Sequence, residues 1–190
     1  MEEKLSDVER EYVQCNFCNG TDTKNYMEIS GFRIVQCKNC SLIYVNPRLK
    51  ERELHSIYDT RYFENPAFNG DASDLYGYNE YFGDKECITA TFKKRLETIH
   101  KFSKIGRVLD VGCAFGFFLE LAKRNGWDVR GIEISEAAYA YAKNELALPV
   151  INTILEKANF ESNSFDVVTL FDVIEHLPDP KGTLKEIRRI

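Results

Sequence analysis

No apolar run in the 190-residue chain approaches the roughly 20 residues that cross a bilayer, so a membrane-spanning helix is not expected. A hydrophobic signal core is missing too: the chain begins Met-Glu-Glu-Lys-Leu-Ser-Asp-Val-Glu-Arg, and a cytoplasmic location is expected. Positive charge is in short supply. Lys and Arg number 25 against 30 Asp and Glu, a formal net charge of −5, with a pI near 5.4. That balance argues against the basic face a nucleic-acid partner needs. What is present is 44% hydrophobic and 13% aromatic residues, enough for a packed core. The length fits one domain plus an extra module, at about 150 residues per domain.

Six cysteines in a cytoplasmic chain point to metal binding more than to disulfides. Four form two pairs, Cys15-Asn-Phe-Cys18 and Cys37-Lys-Asn-Cys40, with 18 residues between them. Each pair makes a knuckle that aims two thiolates at one ion, and together they fit a closed, structural Zn²⁺ site with four sulfur ligands. Phe32 to Gln36 and Ser41 to Val45 read as two strands joined at the second knuckle, so residues 1–46 form a zinc ribbon. The competing reading is a set of reactive dithiols or buried free thiols. Scarcity of large apolar groups favours metal, because so short a module needs a staple. Cys87 and Cys113 stand alone and read as core or turn residues.

Residues 47–103 read as an aromatic-rich helical linker or lid. Pro47 to about Tyr58 has helical character, with Leu54, Ile57 and Tyr58 on one side. Rings then accumulate at Tyr58, Tyr62, Phe63, Phe68, Tyr76, Tyr78, Tyr81 and Phe82. They are expected to pack on the main domain, or to close over a ligand cation that favours ring faces. Ile88, Phe92, Leu96 and Ile99 recur at helical spacing, with Lys93, Lys94 and Arg95 between them, as in an amphipathic helix.

Residues 104–190 alternate strand and helix, the pattern of a parallel sheet. The strand Val108 to Val111 turns through Gly112 and Gly116 into a helix over Phe115–Asn125, stopped at Gly126. Val129 to Ile134 is the next strand and carries Glu133, 21 residues after Gly112. Ser135 caps a helix from Glu136 to about Leu146, Pro149 to Ile151 is a third strand, and Ser164 to Leu170 a buried fourth. Asp179-Pro180 opens a last helix still running at Ile190. A glycine turn at a helix N-terminus, followed by an acid on the next strand end, grips a nucleoside-bearing cofactor. The spacing is Asp-x-Gly-x-x-x-Gly, and Phe117 stands where the third glycine of a dinucleotide fingerprint would be. A ligand without a pyrophosphate is therefore expected.

These features resemble the class I S-adenosylmethionine (SAM) dependent methyltransferases. Besides the turn, Gly131-Ile-Glu-Ile-Ser135, Ser164-Phe-Asp-Val-Val168 and Asp172-Val-Ile-Glu-His-Leu-Pro-Asp-Pro180 are similar to that family's successive segments. Upstream, the two knuckles, an Asn-Pro-Arg, a Tyr-Phe and a Tyr-Gly-Tyr-x-x-Tyr follow the order of a zinc-ribbon-bearing subset. The resemblance implies an α/β, Rossmann-like parallel sheet, present in part, behind an N-terminal zinc ribbon. It implies that Gly112, Ala114 and Gly116 surround the methionine part of SAM and that Asp110 orients the turn and the ammonium. Glu133 would accept both ribose hydroxyls, Ile134 and Leu155 would flank adenine, and Phe171 and Asp172 would line the pocket floor. Ala114 replaces the family's middle glycine and is expected to be tolerated at negative φ.

For a base, His176 with adjacent Glu175 leads, and Tyr81 is a second candidate. The Glu-His pair has a plainer reading, as a tie for its loop. The family's sheet continues past the strands present here, so the chain resembles part of a longer enzyme. Its fourth strand is then an exposed edge open to self-association, and SAM binding is expected without acceptor turnover. The implied acceptor is a small molecule, sugar or glycan precursor, with no nucleic-acid or membrane partner. Rival readings are a non-catalytic zinc-ribbon interaction module and an RNA base methyltransferase drawing on the Lys93-Lys94-Arg95 cluster. An NAD-dependent oxidoreductase is disfavoured by the glycine spacing.

Overall fold

A computed structural model of the chain describes residues 9–50, 53 and 83–190. The chain divides into two compact units, one holding the paired cysteines and one the parallel sheet.

The cysteine unit is antiparallel. Strand β1 (Arg10–Glu11) pairs with β5 (Arg48–Leu49), and β2 (Thr23–Ile29), β3 (Phe32–Cys37) and β4 (Ile43–Val45) form a sheet in that order. The β3–β4 hairpin lies where the sequence placed it. Strand β2 was not expected: six of its seven residues are exposed, so no apolar alternation marks it. It is joined to β3 through Ser30 and Gly31, whose φ values of 50° and 74° make the tight turn that suits twisted hairpins. The helix expected from Pro47 is corrected at its start, because Arg48 and Leu49 pair with Glu11 and Arg10 as strand. That pairing is non-local and beyond the reach of helical periodicity. The rest of the expected helix, apart from Glu53, and the rings from Tyr58 to Phe82 lie outside the described residues, Tyr81 among them.

The second unit runs α1 (Lys85–Ile99), β6 (Arg107–Val111), α2 (Phe117–Arg124), β7 (Asp128–Glu133), α3 (Glu136–Asn144), β8 (Val150–Asn152), β9 (Val167–Thr169) and, from Gly182 on, α4 (Pro180–Arg189). All four strands are parallel, in the order β8-β7-β6-β9. Alternation along β6 sorts the core. Val108 joins Leu96, Phe118, Leu119, Trp127 and Val129 on one face, while Leu109 and Val111 join Ile132, Leu155 and Ile190 on the other. Helix α1 packs as its spacing predicts, with Leu96 buried and Phe92 and Ile99 against the first face. The fourth strand is corrected in length and burial: β9 has only three residues, two of them half-buried; as expected, it is an outer strand of this sheet among the described residues. Upstream of it, the Asn163 and Phe165 amides instead donate to the carbonyls of Arg189 and Ile190, at 3.0 Å each, closing the end of α4.

The order reverses between β6 and β9: β7 and β8 extend one way from the first strand, and β9 lies on its other side. Ligands of open α/β sheets bind outside the carboxyl ends of strands at such a reversal. Val111, Glu133 and Thr169 end their strands there.

Candidate active site and candidate metal centre

The glycine turn leaves β6 through Gly112 (φ 69°), passes Ala114 (φ 47°) and enters α2 at Gly116 (φ 78°). Both glycines are dictated by their surroundings. A Cβ at Gly112 would lie 2.6 Å from Val173 Cγ2, and one at Gly116 the same distance from Leu148 Cδ1. Ala114 departs from expectation, because its φ is positive. The left-handed region brings an alanine Cβ close to its following carbonyl, at a cost of about 1–2 kcal/mol. Residue type alone did not reveal this.

Both carboxylates beside the turn are buried, Asp110 to 3% and Glu133 to 5% exposure. Glu133 uses its two oxygens on two segments: Oε2 accepts from the Ala114 amide and Oε1 from the Ser135 amide, each at 2.8 Å. Burial raises its pKa, against the lowering effect of the Ser135, Ala114 and Ile134 amides. Asp110 faces the neighbouring strand, where Thr169 Oγ1 donates to its Oδ1 at 2.6 Å. Burial is the main force pushing the Asp110 carboxyl up to about 7; Thr169 pulls it down, Glu133 raises it further and Arg95 lowers it. Thr169 and Ser135 are thus the direct partners of the two acids, and single-residue motifs did not single them out for that role.

Ile134 is 40% exposed, a face open to a stacking ring, whereas Leu155 is closed into the core with Leu109 and Ile132. Phe171 is held by Phe118 at 4.9 Å and Phe92 at 5.6 Å between ring centroids. Arg95 of α1 lies 4.5 Å over its ring and places Nη1 3.6 Å from Asp172 Oδ2. The lysine–arginine cluster is therefore split: Lys93 and Lys94 are exposed, and Arg95 turns inward to the strand ends. His176 and Glu175 are exposed in a single 3-10 turn, Ile174–His176, just past Asp172. Cys113 is a core residue, as read, while Cys87 stands exposed on α1.

In the other unit, the sulfurs of Cys15, Cys18, Cys37 and Cys40 all lie within 4.8 Å of one another. Cys15 and Cys40 are 3.5 Å apart and Cys18 and Cys37 3.6 Å, far beyond the S–S bond of about 2.05 Å. Sulfurs at about 2.3 Å from a tetrahedral ion would be roughly 3.8 Å from each other, so the donor set fits Zn²⁺. The two knuckles share one backbone design. Asn19 and Ser41, each just after the second cysteine, have φ of 60° and 67°. Their amides return to the carbonyls of Cys15 and Cys37 at 2.8 and 3.0 Å. The Cys40 amide leads in drawing the Cys37 thiol down to about 7. Cys40 is pushed up to about 12 in spite of the Leu42 amide, by burial and by the neighbouring sulfurs. Four crowded thiols do not share four negative charges without a cation.

A reversed parallel order with an acid-bridged turn at its carboxyl edge defines the second unit as a Rossmann-like methyltransferase fold. The family model described as a methyltransferase domain matches residues 109–190, under half of the chain. The ubiquinone biosynthesis O-methyltransferase of Hahella chejuensis is 40% identical over 90 residues, covering 44% of this chain and 38% of that enzyme. The enzyme of the same name from Alkalilimnicola ehrlichii is 36% identical over 91 residues, covering 44% and 36%. The chain thus spans under two fifths of the length of these curated relatives. A solved protein of Pyrococcus horikoshii OT3 superposes with a TM-score of 0.51 at 26% identity, covering 60% of this chain and 61% of that one. A Methanococcus maripaludis structure described as a putative SAM-dependent methyltransferase gives 0.52 at 15% identity, covering 58% and 54%, and shares the fold. No helix among the described residues is long and apolar enough to cross a membrane.

Proposed function

We propose that the chain is the cofactor-binding part of a methyltransferase that transfers the methyl group of SAM to a small-molecule, sugar or glycan-precursor acceptor, with a structural Zn²⁺ in its cysteine cluster. The observation that carries the reading is Glu133, a buried carboxylate at the end of β7 that already contacts the glycine turn. A carboxylate has about four acceptor positions, and the Ala114 and Ser135 amides leave room for a ribose diol. Gly112, Ala114 and Gly116 would surround the methionine part, Asp110 would face its ammonium, Ile134 would lie on adenine, and Phe171 and Asp172 would close the floor. Bound SAM would supply a methyl carbon activated by the sulfonium, for transfer to the acceptor atom with S-adenosylhomocysteine as the leaving group. The protein's part is to align the two and exclude water. His176, with Glu175 beside it, would take the proton of a hydroxyl acceptor, a chemistry favoured by the names of the curated relatives. The four cysteines would hold Zn²⁺ with no open position, so the metal's role is to fold the module. The reading places the protein in the cytoplasm, apart from nucleic acid and membrane, with self-association through the outer side of β9.

Calorimetric titration with S-adenosylhomocysteine tests it. Glu133→Ala is expected to weaken binding by about 1.5–3 kcal/mol, the range for hydrogen bonds to a charged group. Unchanged affinity in the variant would place the ribose elsewhere, and no binding to the parent chain would remove the cofactor reading.

A further inference from the structure

We infer that Glu133 is a positioning residue for the glycine turn before any cofactor arrives: its carboxylate holds the Ala114 peptide in a left-handed conformation that glycine would adopt unaided. Three of the turn's amides are fixed by backbone. Gly112 and Cys113 donate to the Ile132 carbonyl at 2.8 and 3.1 Å, and Gly116 donates to Cys113 at 2.9 Å. The Ala114 amide instead goes to a side chain, Glu133 Oε2 at 2.8 Å. That peptide belongs to the one residue of the turn combining a Cβ with a described positive φ, 47°. The clamp is anchored at its far end, since Glu133 Oε1 is fixed by the Ser135 amide at 2.8 Å, and Ser135 caps α3 and is 1% exposed. Turn, strand end and helix start are thereby tied through one carboxylate. A charged acceptor in a buried setting is the strongest neutral-amide partner available to such a peptide. Only a carboxylate satisfies both amides: a carboxamide has one oxygen, and its NH₂ would face one of the two donors.

The inference stands on the geometry of the turn and needs no bound ligand, so its test uses none. Native-state hydrogen exchange of the full chain is compared between the parent, Glu133→Gln, and Glu133→Gln combined with Ala114→Gly. In Glu133→Gln the Ala114 amide is expected to exchange at least tenfold faster, while the Leu109 amide of the central strand keeps its rate. The added Ala114→Gly change is expected to recover part of the lost protection at residue 114 and to raise the melting temperature of Glu133→Gln. An unchanged Ala114 rate overturns the inference, as does equal acceleration of Leu109, which would mean global loosening. Should Glu133→Gln fail to fold, the double variant decides: a folded double variant supports the clamp, and an unfolded one overturns it. Failure of the parent chain to bind S-adenosylhomocysteine would sink the cofactor reading and leave this result intact.

Discussion

In the parallel-sheet unit Leu109, Phe117, Phe118, Leu119 and Ile132 are each at most 1% exposed. In the cysteine unit the buried apolar groups among the described residues are Val35, Leu49, Cys15 and Cys37, while Tyr12, Phe17, Tyr26, Met27, Ile29, Leu42 and Ile43 stand exposed. The first unit is held by apolar burial that rises with every residue packed against the sheet. The second has too small an interior for that, and on the proposed reading it depends on a metal held by its four cysteines. The difference teaches that one chain can stabilise neighbouring units by independent means, and that each should fail without the other.

Metal removal is expected to have the largest effect. Free energies for structural Zn²⁺ in small modules are about 10–16 kcal/mol, so chelation or Cys37→Ser should abolish the β2–β3–β4 sheet and leave the parallel sheet intact. Elemental analysis should find one zinc per chain in the parent protein. Zinc-free protein with an intact cysteine unit would end the comparison. The reverse experiment is Leu119→Ala, which removes a fully buried side chain at a cost of about 2–5 kcal/mol. Denaturant unfolding should register the loss in the parallel-sheet unit alone, with zinc content unchanged; loss of zinc in this variant would show the two units to be coupled.

A smaller and opposite effect is expected at Asp110. Its folded pKa, about 7, lies above its ordinary value of 3.8, so the favourable proton is fully bound below about pH 4. That contribution is lost as the pH rises through 7. Asp110→Asn keeps an acceptor for Thr169 without the buried charge, and should stabilise the cofactor-free unit at pH 8 by about 1–2 kcal/mol, allowing for local relaxation. Melting temperatures at pH 5 and pH 8 check the sign: the advantage of the variant should be greater at pH 8. An equal or smaller advantage there would mean the carboxylate is ionised at little cost.

Legibility followed range along the chain. The β6–turn–α2–β7 segment was readable because each signal is local: the β-branched strand, the glycines at 112 and 116, and the acid at 133. The cysteine knuckles were readable for the same reason. Positive φ at Ala114 was not, since alanine gives no sign of it and the conformation is held by Glu133 on another strand. Strand β2 was hidden because its two faces are both wet, and the β1–β5 pairing because Arg10 and Leu49 are brought together only by the fold. Arg95 read as part of a basic cluster; its placement over Phe171 depends on packing between α1 and the end of β9. The resemblance implied Leu155 as a cofactor contact; its burial beside Leu109 and Ile132 is set by packing that no local signal gives.

Trp127 is the single tryptophan of the chain. It is 3% exposed in the core of the parallel-sheet unit, with its indole N–H donating to His100 Nε2 at 3.0 Å and the two rings stacked. Indole emission is therefore a private optical channel for one half of the molecule. Melting followed by tryptophan fluorescence sees the sheet and is blind to the cysteine unit, which has no tryptophan. The parallel-sheet half thus carries its own probe, without any added label.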